Sequence, residues 1–162
     1  GLALISQSGA IASALVDFAR AAGVGFSSVV ALGSAADVDF GEVLEFALSD
    51  IETDGIVLYV ESVRDSRAFL SALRAAARTK PVVVLKSGRS LEAPLSVAPD
   101  AVFTAAMMRA GTVRVQTYTQ LFAAARILAP GRIPQGNRVA IVSNGRGPAL
   151  LAADSAAVAA LR

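Results

Sequence analysis

The chain has 162 residues, 54% of them hydrophobic and 17% charged, with a formal net charge of +2. That composition supplies a sizeable core and argues against disorder, while scattered arginines, seven Phe, two Tyr and no Trp leave no basic, aromatic-lined surface for nucleic acid. Cysteine and histidine are both absent, which excludes disulfides, thiol catalysis, Ser–His–Asp triads and the commonest zinc sites within these residues.

In chain order, runs rich in Val, Ile and Leu fall at residues 2–6, 28–32, 55–60, 81–86, 112–115 and 138–143. Most are apolar at nearly every position, the pattern of parallel strands covered on both faces. After the first run, Ile11, Leu15, Phe18 and Ala22 share one helical stripe. Phe40, Val43, Leu44, Ala47 and Leu48 form another, as do Phe69, Leu73 and Ala76, and then Leu121, Phe122, Ala125 and Leu128. Thr117 to Gln120 has the form of a capping box opening the last of these. Strand and helix alternating at this rhythm predict an α/β fold, a doubly wound open parallel sheet of flavodoxin or Rossmann type.

Residues 129–137 carry two Pro and two Gly in nine positions, a composition that ends one helix and resists starting another. Beyond them the sequence begins again. Residues 138–154 (RVAIVSNGRGPALLAAD) follow residues 1–17 (GLALISQSGAIASALVD) at constant offset, matching Ile5 to Val142, Ser6 to Ser143, Gln7 to Asn144 and Asp17 to Asp154. The expected organisation is therefore a first domain at 1–129, a linker at 130–137, and the opening strand and helix of a second, similar unit at 138–162. The chain opens on a strand-like segment without a basic, apolar leader and stops within an Ala-rich helical pattern, so both ends read as cuts through a longer protein. No apolar run approaches the ~20 residues needed to span a bilayer, and no membrane partner is expected.

Two loops join a buried strand to a helix N-terminus. Ser6, Gln7, Ser8, Gly9 and Ala10 form the first, and Ser143, Asn144, Gly145, Arg146 and Gly147 the second. Unpaired N–H groups and the positive end of the helix dipole attract anions there, and small residues let a phosphate approach the backbone. A simple helix cap would use the same residue types; two copies of the pattern favour phosphate or nucleotide binding. Glu61 ends a buried run on the same rim and offers a carboxylate to orient a partner; it could as easily be solvated, or paired with Arg64 or Arg67. Asp37 and Asp39 have a spacing open to a metal or a ribose, but capping by Asp39 fits better. Lys86, Ser87, Gly88 and Arg89 form a basic loop, read either as a phosphate contact or as an exposed turn. No metal site is expected.

These residues carry a resemblance. Ser6-Gln7-Ser8-Gly9, Ala31 to Ser34 with Asp37 and Asp39, Leu58-Tyr59-Val60-Glu61, the run from Lys80 to Ser90, Arg109-Ala110-Gly111 with Arg114 and Val115, and Ser143-Asn144 through Asp154 occur in that order. Together they resemble the flavodoxin-like domain of NDP-forming acyl-CoA synthetases, relatives of the succinyl-CoA synthetase α subunit. The resemblance implies a flavodoxin-like sheet of the succinyl-CoA synthetase type. It implies exchange of acyl-CoA and phosphate for acyl phosphate and CoA, with a histidine carrying the phosphoryl group to ADP or GDP. The loops at 6–10 and 144–148 match the two helix N-termini that flank that histidine, and Glu61 matches the carboxylate that orients it. The family places the histidine in a loop after the Lys86-Ser87-Gly88-Arg89-Ser90 strand end. Here residues 90–99 form a shorter loop with no histidine; Glu92 within it and Asp100 just after it are carboxylates that could in principle be phosphorylated.

The histidine-free version resembles one branch in particular, bacterial lysine acetyltransferases with a fused synthetase-like region. That resemblance implies a non-catalytic module for sensing acetyl-CoA or phosphate, or for oligomerisation. The alternative is a fragment of an ADP-forming acetate or acyl-CoA ligase whose phosphohistidine lies outside this sequence. No covalent cofactor is expected; acetyl-CoA or CoA, phosphate, and ADP or ATP are the expected ligands of the parent protein. Adjoining CoA-binding, ATP-grasp-like and acetyltransferase domains, a homo-oligomer and a cytoplasmic location complete the expectation.

Overall fold

Five of the six apolar runs pair into a single parallel sheet. In the computed structural model, which describes residues 1–88, 100–130 and 136–162, the chain divides into two units, Gly1–Arg132 and Ile133–Arg162. The first unit holds β1 (Leu2–Ser6), α1 (Gly9–Ala22), β2 (Phe26–Ala31), α2 (Phe40–Ser49), β3 (Gly55–Val60) and α3 (Ser66–Ala77). It continues with β4 (Val82–Lys86), α4 (Asp100–Ala110), β5 (Val113–Val115) and α5 (Tyr118–Leu128). The sheet order is β2-β1-β3-β4-β5, the flavodoxin-like doubly wound order.

Every residue of β1, β3 and β4 is buried, as their unbroken apolar sequences require, whereas the edge strands β2 and β5 are partly exposed. One face packs Phe40 and Leu44 of α2, Phe69 and Leu73 of α3, and Phe103 and Met107 of α4 against Ile5, Ile56 and Val84. The other face packs Leu15 and Ala19 of α1 and Leu121 and Ala125 of α5 against Leu4, Val57 and Leu85. Residues alternate between these two cores along each strand because successive side chains point to opposite faces.

Local chemistry ends each helix where it does. Asp39 caps α2 in a full capping box with Glu42, the role favoured over metal or ribose binding, and Asp37 stays exposed. At the far end of α2 the Lys80 ammonium donates to the carbonyls of Ala47 (2.7 Å) and Asp50 (2.6 Å), where the dipole favours a cation. Gly23 closes α1 at φ +68°, a left-handed conformation that glycine adopts without a Cβ clash. Thr117 caps α5 through the Gln120 N–H, but the Gln120 side chain accepts from the Gln116 N–H, one residue before the position a capping box uses.

The second unit holds α6 (Arg146–Val158). Among the described residues the segment expected as a strand at 138–143 pairs with no other: its residues are exposed, held by hydrogen bonds of Val139 N–H to Arg162 O and Arg162 N–H to Asn137 O, both 2.7 Å. The physical reason is that a strand is defined by its ladder, and the described residues of this unit offer no neighbouring strand.

Candidate functional site

The carboxyl ends of β1, β3 and β4 bring Ser6–Ala10, Glu61 and Lys86 to one rim, the edge where ligands enter open α/β sheets. Parallel hydrogen bonding continues past the strands themselves: Leu32 N–H donates to Ser6 O (2.8 Å), Gln7 N–H to Tyr59 O (3.2 Å) and Ser87 N–H to Val60 O (3.0 Å). The rim is thus fixed by backbone before any side chain contributes.

The turn after β1 is shaped by two serines. The Ser6 hydroxyl donates to Ser8 O (2.7 Å) and accepts from the Ser8 N–H (3.1 Å), folding the chain back so that Ser8 becomes the N-cap of α1. The Ser8 hydroxyl accepts from the Ile11 N–H (3.4 Å). Gly9 and Ala10 then open the helix on the surface, with first-turn N–H groups that have no intrahelical acceptor. Among the described residues a Cβ placed on Gly9 would meet nothing within 4 Å, so they leave Gly9 itself open.

Gln7 turns inward. Only 7% exposed, its Oε1 accepts from the N–H groups of Glu61 (2.6 Å) and Ser62 (2.9 Å). Lys86, equally buried, approaches from the other side and donates to the carbonyls of Glu61 (3.0 Å) and Ser87 (2.9 Å). The backbone of Glu61 is therefore gripped on its N–H by a side chain of the loop after β1 and on its C=O by a side chain of β4. Its carboxylate is left exposed at the rim. The alternative partner Arg64 instead donates to Ala35 O (2.7 Å) and Ala36 O (3.3 Å), pinning the loop after β2 where Ala35 adopts φ +51°. Among the described residues neither Arg64 nor Arg67 forms an ion pair with Glu61.

Burial lowers the Lys86 pKa from its ordinary 10.5, partly offset by the Asp100 carboxylate. Behind Lys86, a cluster that the sequence reading missed holds the start of α4. Arg114 of β5 donates to the carboxylate and carbonyl of Asp100 and to the Thr104 hydroxyl, with its side chain 4% exposed. Two cations approach the Phe103 ring, with Arg114 Cζ 5.1 Å and Lys86 Nζ 5.7 Å from its centroid. The Phe103, Met107, Ala110 spacing was the available signal for α4. On the other side of the rim Tyr118 stacks on the buried Tyr59, and burial followed by the Tyr59 hydroxyl raises the Tyr118 pKa.

The second turn repeats the first. The Ser143 hydroxyl donates to Gly145 O (2.9 Å) and accepts from the Gly145 N–H (3.1 Å), and Gly145 is the N-cap of α6 without a side-chain bond. Asn144, Arg146 and Gly147 are exposed in that turn, which belongs to the other unit. Arg89, Glu92 and the shortened loop at 90–99 lie outside the described residues. Among the described residues no group of three or more acids is placed to hold a metal ion, and no helix is long and apolar enough to cross a membrane.

With this geometry in view, the chain compares closely with known proteins. It is 37% identical to the α subunit of acetate–CoA ligase [ADP-forming] I from Pyrococcus furiosus, over 96% of this chain and 35% of the relative. It is also 37% identical to 4-hydroxybutyrate–CoA ligase [ADP-forming] from Nitrosopumilus maritimus, over 99% of this chain and 24% of the relative. The chain therefore spans about a third or less of these proteins. Among solved structures, the apo dinucleotide-forming acetyl-coenzyme A synthetase 1 of Ca. Korarchaeum cryptofilum superposes with TM-score 0.88 at 29% identity, covering 98% of this chain and 36% of that one. The same synthetase in complex with phosphate and ADP gives TM-score 0.88 at 27% identity, again over 98% of this chain and 36% of that one. Residues 1–128 match the family described as the succinyl-CoA ligase like flavodoxin domain, and the chain belongs to that family.

Proposed function

We propose that the chain is the phosphate- and thioester-handling part of an ADP-forming acyl-CoA ligase, or of a protein built like one. The observation that carries this reading is 37% identity to an acetate–CoA ligase α subunit across 96% of the chain. The geometry supports it: the open N-terminus at Gly9 and Ala10 suits a phosphate, and Gln7 and Lys86 fix the backbone from which the Glu61 carboxylate projects. Asn144, Gly145, Arg146 and Gly147 offer a second anion-binding turn. Because the chain has no histidine, the group that carries the phosphoryl moiety would come from residues outside these 162, with Glu61 orienting it. CoA, phosphate and ADP or ATP are the ligands of the whole protein in this reading. A relative solved with phosphate and ADP supports the last two. CoA-binding and ATP-grasp-like domains, a homo-oligomer and a cytoplasmic setting follow from the same reading.

A second reading rests on the absence of histidine, which favours a synthetase-like module that senses acetyl-CoA or phosphate without turning it over. The relatives named above are CoA ligases, and they favour the ligase lineage over attachment to a lysine acetyltransferase. The phosphate role itself is tested by adding inorganic phosphate to the ¹⁵N-labelled chain. The Gly9 and Ala10 amide signals should move, and unmoved signals would remove phosphate binding from the proposal.

A further inference from the structure

We infer that the outer face of α2 and α3 is a self-association surface, which pairs with the same face of a second copy of this chain. Two recesses of opposite charge lie side by side on it. The first, about 440 Å³ between α2 and α3, is lined by Asp39, Glu42, Glu45 and Asp65 together with small residues such as Ala68 and Ala75. The second, about 540 Å³, is lined by Arg67, Arg74 and Arg78 and shares Ser71 and Ala75 with the first. The three arginines and both glutamates are exposed, and among the described residues none of the five belongs to an ion pair.

Charges of both signs on one face set the partner and the symmetry. On α3 the arginines share an outward stripe, opposite the buried Phe69, Ala72, Leu73 and Ala76. α2 and α3 cover the same side of the sheet and run in the same direction, since each returns the chain from the end of one parallel strand to the start of another. Glu42 and Glu45 therefore follow one another along α2 in the sense in which Arg67, Arg74 and Arg78 follow along α3. A two-fold axis running along the groove lays α3 of each copy over α2 of the other, so arginines face carboxylates. An axis across the groove would set like charges against each other. Small side chains at Ala68, Ser71 and Ala75 let the partner's arginines reach into the acidic recess. A two-fold interface uses one patch on both subunits, so each pairing occurs twice, and opposed potentials of this kind select the partner and fix the register. The inference assigns a face to the homo-oligomer proposed above, and it rests on the placement of charge rather than on the ligase reading.

The test is sedimentation of the full 162-residue chain over a concentration series at low and high salt. The mean mass should rise from 16.5 kDa toward twice that value, and added salt should weaken the association about tenfold or more. Arg74→Glu and Glu45→Arg, both at exposed positions, should each weaken it by about tenfold or more, because like charges then oppose each other at two symmetry-related places. Mixing the two variants should restore a dimer, since each then meets a partner of opposite charge at both places. The salt series on the unaltered chain decides the matter even if a variant fails to fold. A chain that stays at 16.5 kDa, a dimer indifferent to salt or to the reversals, or variants that do not recover on mixing overturn the proposal.

Discussion

The chain contains the same strand-turn-helix sequence twice, and the two copies meet opposite fates. In both, a serine hydroxyl donates to and accepts from the residue two positions on, and a helix starts at the next residue. Yet Leu2, Leu4 and Ile5 are fully buried between β2 and β3, whereas Val142 is 96% exposed and pairs with no strand among the described residues. The turn is a local decision, made by hydrogen bonds within three residues. The strand is a collective one, made by neighbours and two helical layers. That difference separates what a short motif guarantees from what only a completed sheet supplies.

Breaking the comparison at the strands should give the largest effect. Leu4→Ala should cost about 2–5 kcal/mol by denaturant unfolding, whereas the surface change Val142→Ala should cost less than about 0.5 kcal/mol. Equal costs would mean that the second strand is buried in the same way. Next comes the rim's scaffold: Asp100→Asn leaves the Arg114 guanidinium buried without its anion and should cost about 1–3 kcal/mol. Gln7→Ala should cost about 1–2 kcal/mol and accelerate hydrogen exchange at the Glu61 and Ser62 amides specifically. At the caps the copies differ again. Ser8→Ala should cost about 1 kcal/mol, and Gly145→Ser, which supplies the hydroxyl that α6 lacks, should gain a few tenths, read as helical circular dichroism.

The smallest effect is a pH dependence. Burial lowers the Lys86 pKa in the folded state below the 10.5 of the unfolded chain, so the folded protein releases that proton first. Its contribution to stability should therefore rise with pH through the window just below 10.5, and Lys86→Met should remove that rise from the unfolding profile.

The sequence disclosed what periodicity encodes. Gly55–Val60 and Leu2–Ser6 announce themselves because every position is apolar, and α2 because Phe40, Val43, Leu44 and Ala47 share one face. The short, half-exposed β5 was expected one residue longer, since an edge strand carries a weaker pattern. Residues 138–143 show the converse: their apolar pattern is that of a strand, but pairing depends on partners that the pattern does not contain, and the described residues supply none. In the site, Ser6 and Ser8 were readable as a helix entrance. The grip of Gln7 and Lys86 on Glu61 was not, because it joins residues more than fifty and about twenty-five positions apart through a sheet order that sequence leaves open. Arg114 was visible as a motif residue, but its embrace of Asp100 and Thr104 depends on α4 lying against β5.

One measurement bears most directly on the account. The natural full-length protein would be incubated with ATP labelled in the γ-phosphate, and aliquots quenched in acid and in base. The ligase reading predicts a protein-bound label that is acid-labile, base-stable and mapped outside these 162 residues, and that falls sharply in Glu61→Gln. A protein that takes up no label while still binding acetyl-CoA would contradict that reading and leave a synthetase fold used as a sensor.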